Sequence, residues 1–116
     1  MIVTWYRCLP NNVWCDFDTL DLSKVNSEGV YVIWHGGSNP RTVRVGSGIV
    51  VQRIQAHRKD PMVAAYRQYG LFVTWADVPA SFQQGVENYL ADLLQPLVGE
   101  RFPNVQPIEV NSPFAA

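Results

Sequence analysis

The chain has 116 residues, with 9 Lys and Arg against 10 Asp and Glu, 47% hydrophobic and 16% charged residues, and four tryptophans. That length holds one core and no second; low charge with frequent aromatic residues excludes a disordered chain, and a net charge of −1 excludes a nucleic-acid binder working through bulk positive charge. No apolar run approaches the ~20 residues of a membrane span, and the amino terminus lacks a basic region followed by an apolar one, so a cytoplasmic protein without a membrane segment is expected.

In chain order, Ile2 to Tyr6 is an isolated β-type run, and Leu9-Pro10-Asn11-Asn12 is a turn signal. Cys8 and Cys15 match no zinc spacing; with no secretion signal, two reduced thiols are expected, a disulfide between them being the alternative. Asp16, Asp18 and Asp21 resemble a metal loop only in composition. Counted from Asp16, the glycine and glutamate positions of a calcium loop hold Asp21 and Ser27. Residues 1–28 therefore read as an irregular lead-in that packs on the core.

Val30, Val32 and Trp34 alternate with Tyr31, Ile33 and His35, the period of a strand. After the Gly36 to Pro40 loop, Thr42 to Val45 resumes the alternation and Gly46-Ser47-Gly48 is expected to end it, completing a hairpin. Ile49 to Lys59 reads as a helix stopped by Asp60-Pro61, and Met62 to Tyr69 as a second short helix ended by Gly70. Leu71 to Val78 is the third strand. Pro79-Ala80-Ser81 opens a long helix whose apolar stripe is Val86, Tyr89, Leu90, Leu93, Leu94 and Leu97, with Glu87 on its flank. The rest is expected to be an irregular tail, residues 105–116.

The charges are unevenly placed. Between Arg41 and Arg67 lie Arg41, Arg44, Arg53, Arg58, Lys59 and Arg67 against one acid, Asp60. A local basic patch on a neutral protein implies modest, salt-sensitive affinity for phosphates. Hydrolysing a phosphodiester needs an activated water, a cation on the phosphate oxygens and a means of spreading charge at phosphorus. Glu87 can serve one Mg²⁺ or Mn²⁺ ion, Arg53 offers a planar fork for phosphate, and His57 can orient a phosphate or move a proton.

Gly29-Val30-Tyr31, then Arg44-Val45-Gly46, then Arg53 and His57 on the next helix, Glu87 on a later one and Pro103-Asn104 near the end resemble the GIY-YIG endonuclease domain across about residues 29–104. The resemblance implies an α+β fold (α/β sandwich), a small three-stranded antiparallel sheet flanked by helices in the order β-β-α-α-β-α. It also implies a metal-dependent endonuclease in which Glu87 holds Mg²⁺ or Mn²⁺, Tyr31 takes a proton from water, and Arg44, Arg53 and His57 complete the catalytic set. Asn104, with Arg41, Arg58, Lys59 and Arg67, is assigned to the nucleic-acid substrate, DNA ahead of RNA. Such domains gain specificity from an appended DNA-binding unit; a protein partner is one way to target this chain.

One position departs from the family: Arg44 stands where the second motif tyrosine is. A guanidinium there is expected to lower the Tyr31 pKa and make the phenol a usable base. Two other readings remain: a domain that binds nucleic acid without cutting it, and a protein-interaction module. The four tryptophans are expected to pack in or around the core.

Overall fold

Along β2 (Glu28–His35), every residue from Gly29 to His35 is buried. The reason is position: β2 lies between β3 (Arg41–Ile49) and β4 (Leu71–Asp77), antiparallel to both, with helices over each face. A strand covered on both sides needs apolar residues at successive positions, which is why Tyr31 and Ile33 are as buried as Val30 and Val32. The computed structural model describes residues 1–99 and 104–114.

The sheet has four strands, in the order β1-β4-β2-β3, and not the expected three. The extra one is β1 (Cys15–Asp16) from the lead-in, antiparallel to β4. Bonds from Tyr6 N to Trp75 O and from Phe17 N to Leu71 O, both 2.9 Å, continue that cover along β4. Without the lead-in, the outer backbone groups of β4 would be an open sheet edge.

The expected pair of reduced thiols is also corrected: Cys8 and Cys15 form a disulfide. The turn after Cys8 brings it back against Val13 in a two-way backbone bridge, leaving the two cysteine Cα atoms 5.1 Å apart, within bonding reach.

Strand β3 runs on through Gly46-Ser47-Gly48, which was expected to end it. Gly46 pairs with Tyr31, Ser47 with Val30 and Gly48 with Gly29. The register shifts where Ile33 opposes Arg44 and Trp34 opposes Thr42, so Val43 is the extra residue of a β-bulge.

Helix α1 (Val50–Arg58) follows β3 directly and buries Val50, Ile54 and His57. Asp60 accepts from Met62 N to start α2 (Pro61–Ala64). The expected helix over Met62 to Tyr69 is split, because Tyr66 N bonds to Val63 O and the chain tightens into a separate 3₁₀ turn, Arg67–Tyr69. Helix α3 (Ala80–Leu94) buries Val86, Glu87 and Leu90, whereas Leu93, assigned to its apolar stripe, is exposed. Helices α1 and α2 cover the Tyr31 and Ile33 face, and α3 covers the Val30 and Val32 face.

The described tail, residues 104–114, has no helix or strand, as expected, and it is tied to the lead-in by specific contacts. The Asn111 side chain donates to Val3 O and accepts from Val3 N, while Trp5 Nε1 donates to Asn111 O. Phe114 meets the Trp34 ring edge-on at 4.8 Å and Trp75 stacks on Tyr6 at 5.6 Å, so these tryptophans pack, as expected. Among the described residues, no helix is long and apolar enough to cross a membrane.

Candidate functional site

Tyr31, Ile33 and His35 point to one face of β2, so Arg44, opposite Ile33, and Gly46, opposite Tyr31, share that face on β3. Gly46 has a specific job. A Cβ there would lie 2.1 Å from the Tyr31 hydroxyl oxygen and 2.3 Å from Cζ, so the phenol ring lies directly over the glycine. With no side chain in the way, the hydroxyl reaches His57 on α1, its oxygen 2.6 Å from Nε2.

Gly48 acts similarly for Arg53. Its φ of +127° suits glycine, and a Cβ would come within 3.2 Å of Arg53 Nε, so the arginine side chain lies along the bare backbone. Arg44 is enclosed from the other side. Leu97 N and Val98 N bond to Thr42 O and Val43 O, bringing Gly99 to a point where a Cβ would lie 3.2 Å from Arg44 Cζ. The buried Arg44 Nε has no hydrogen-bond partner among the described residues. An orphaned cationic N–H in a buried position is costly unless water or a ligand pairs with it.

Glu87 approaches from α3, on the opposite face. Ser47, paired with Val30, points to that face and donates to Glu87 Oε1 at 2.8 Å. Because β3 is the edge strand, groups from both faces meet around its glycines, and the charges of Arg44 and Arg53 act on Tyr31, His57 and Glu87 alike.

The electrostatic balance reverses one expectation. Burial pushes the Tyr31 phenol up to about 12; Arg44 pulls it down, as expected, but desolvation wins. Burial first, then the Arg44 charge, depresses His57 to about 4, with Asp60 opposing. Tyr31 is therefore a neutral phenol at neutral pH and His57 a neutral imidazole. With both neutral, the phenol is the stronger acid and the imidazole the better acceptor, so the bond is assigned from the Tyr31 hydroxyl to His57 Nε2, with the ring proton on Nδ1, 4.0 Å from Asp60 Oδ2. Burial also raises the Glu87 pKa, partly offset by the Ser47 hydrogen bond and the two arginines.

The structure thus brings Tyr31, Arg44, Arg53, His57 and Glu87 together, and the residues assigned to substrate elsewhere. Arg58 donates to Phe17 O and Leu20 O at 3.0 and 2.8 Å, tying α1 to the lead-in. Arg67 pairs with Asp18 at 2.9 Å. Lys59 is exposed just past the end of α1, and Arg41 is exposed at the other end of β3. Asn104 is exposed, its neighbour Val105 receiving a bond from Asn88 on α3; Pro103 lies outside the described residues.

Two contributors escaped the sequence reading. Ser47 looked like part of a strand terminator, and Asp60 like a helix stop. The signals were there: a lone hydroxyl between two strand glycines, and an acid three residues after His57, just past the helix end.

Among the described residues, a metal ion here would find one carboxylate, Glu87. No group of three or more His, Cys, Asp or Glu side chains is placed to hold an ion among the described residues. This donor set does not fit zinc or an all-protein calcium cage, but it fits a hard ion such as Mg²⁺ or Mn²⁺ that takes its other ligands from water and phosphate. No family model, curated protein or solved structure matches this chain.

Proposed function

We propose that the chain is a metal-dependent endonuclease of the GIY-YIG type, hydrolysing phosphodiester bonds in nucleic acid, DNA ahead of RNA. The observation that carries this reading is the Tyr31–His57 hydrogen bond beside a buried arginine nitrogen with no partner among the described residues, across the sheet edge from Glu87. Arg44 and Arg53 bind the scissile phosphate, whose oxygens accept from the Arg44 Nε–H that has no partner among the described residues.

Tyr31 works as a relay and not as a resting phenolate. As water attacks phosphorus, its proton passes to the Tyr31 oxygen while the Tyr31 proton passes to His57 Nε2. The imidazolium so formed faces Asp60. The phosphate's negative charge offsets the arginine charge that, with burial, holds His57 low, so the imidazole is a better base with substrate bound. A Mg²⁺ or Mn²⁺ ion held by Glu87 would supply positive charge to the phosphate oxygens. By family analogy, the new bond leaves a 5′-phosphate and the broken one a 3′-hydroxyl, which takes a proton from solvent.

The second reading, a domain that binds nucleic acid through the same arginines without cutting, is favoured by the raised Tyr31 pKa. Labelled branched, single-stranded and duplex DNA, and RNA, incubated with the protein in Mg²⁺, Mn²⁺ or EDTA, separate the two. Metal-dependent cleavage lost in Glu87→Ala supports the enzyme; binding without cleavage supports the second reading.

A further inference from the structure

At the opposite end of the β2–β3 hairpin from Tyr31, a pocket of about 390 Å³ opens between the connecting loop and the 3₁₀ turn, lined by His35, Asn39, Arg41, Tyr66 and Tyr69 among others. His35 and Tyr66 stack with centroids 5.5 Å apart and planes within 3°, and Tyr69 lies 5.1 Å from His35 at 38°. The His35 ring is fixed, since its Nδ1–H donates to the Gly36 carbonyl at 2.8 Å. Gly37, at φ +92°, lets the loop backbone run beside Tyr69, where a Cβ would sit 3.6 Å from Cδ1. Tyr69 nevertheless remains 49% exposed.

The pocket and the candidate site lie at the two ends of one hairpin, with α1, α2 and residues 97–98 covering the sheet between them. Tyr31, Ile33 and His35 share a face, and their β3 partners there are Gly46, Arg44 and Arg41. His35 lies four residue steps along the strand from Tyr31, roughly 13 Å. A few nucleotides cover that length, at ~3.4 Å each when stacked and more when extended. A strand whose scissile phosphate rests on Arg44 and Arg53 would run over the outside of that cover and meet exposed Arg41 at the rim of the aromatic pocket.

The geometry points to a nucleobase-binding subsite in this pocket, taking one unpaired base a few nucleotides from the scissile phosphate. The base stacks on Tyr69, its edge faces the polar groups of the Gly36–Pro40 loop, and Arg41 holds the adjoining phosphate. Bases inside a duplex have both faces occupied by their neighbours, so only a single-stranded or extruded base can enter. The subsite rests on the nuclease reading and narrows it to substrates with a single-stranded segment beside the cut.

The test uses the protein in EDTA, where bound strands stay intact, and fluorescence anisotropy with a labelled single-stranded DNA decamer and with the same decamer made abasic at every position. Wild type is expected to bind the decamer about tenfold more tightly than the abasic strand. Tyr69→Ala should lose that preference and Tyr69→Phe, which preserves the ring, should keep it. Equal affinity of wild type for both strands, or an undiminished preference in Tyr69→Ala, overturns the subsite while leaving the nuclease reading standing. Failure to bind either strand, with no cleavage in Mg²⁺, overturns both.

Discussion

The Tyr31 hydroxyl oxygen lies 2.6 Å from His57 Nε2, joining the central strand to α1 across a gap that Gly46 leaves free. The bond fixes both partners: a phenol pushed up to about 12 donates, and an imidazole pushed down to about 4 accepts. Each group keeps its neutral form because burial penalises its charged one.

Gly46→Ala should disrupt this pair from a distance of one methyl group. Its Cβ would overlap the Tyr31 ring end, so the phenol must move away from His57. Overpacking of this kind costs about 1–3 kcal/mol, measurable as a lower urea midpoint. Tyr31→Phe, which removes only the hydroxyl, should cost nearer ~1 kcal/mol.

His57 should make stability depend on pH in a defined window. Its folded value of about 4 lies below the ordinary 6.5, so between those values the unfolded chain takes up a proton that the folded one refuses. Stability attributable to His57 is therefore full above the unfolded value, falls as pH drops toward the folded one, and levels off below it, a loss of about 2 kcal/mol after allowing for solvent screening. Melting temperatures at pH 7 and pH 5 should converge in His57→Gln relative to wild type.

Glu87 carries the opposite sign. Its raised pKa means that the folded state holds a proton more tightly than the unfolded one, so the buried carboxylate is a burden once ionised. Glu87→Gln, which can still accept from Ser47, should melt a few degrees higher at neutral pH, an effect of about 1 kcal/mol, and lose that advantage in acid.

Arg44 separates charge from geometry. Arg44→Lys keeps a cation and Arg44→Ala removes it, so cleavage should fall far more in the alanine variant. Equal, near-full activity in both would show that Arg44 has no part in the chemistry.

Much of the fold lies in local periodicity. The alternation in Gly29 to His35, the loop at Gly36 to Pro40, the stop at Asp60-Pro61 and the long helix after Pro79 all report nearest-neighbour preferences, and these elements form where expected. Strand β1 and the Cys8–Cys15 bond depend on chain returning to β4 and to Val13, which no local pattern records. Gly46 and Gly48 misled for a related reason: in a strand, glycine weakens the pattern, yet here each makes room for a side chain from another element. The five residues of the candidate site were singled out by type and order, and the structure brings them together. The Tyr31 pKa was not, because the sign depends on how completely the surrounding core excludes water, and that is a property of packing.

The most direct test is single-turnover cleavage of a labelled strand by wild type, Tyr31→Phe and Glu87→Gln at saturating Mg²⁺, each confirmed folded by its melting curve. Metal-dependent cleavage by wild type, reduced about 100-fold or more in both variants, is the predicted result. Wild type that binds the strand but leaves it intact, or variants that cut at the wild-type rate, would contradict a hydrolytic site built on Tyr31, His57 and Glu87.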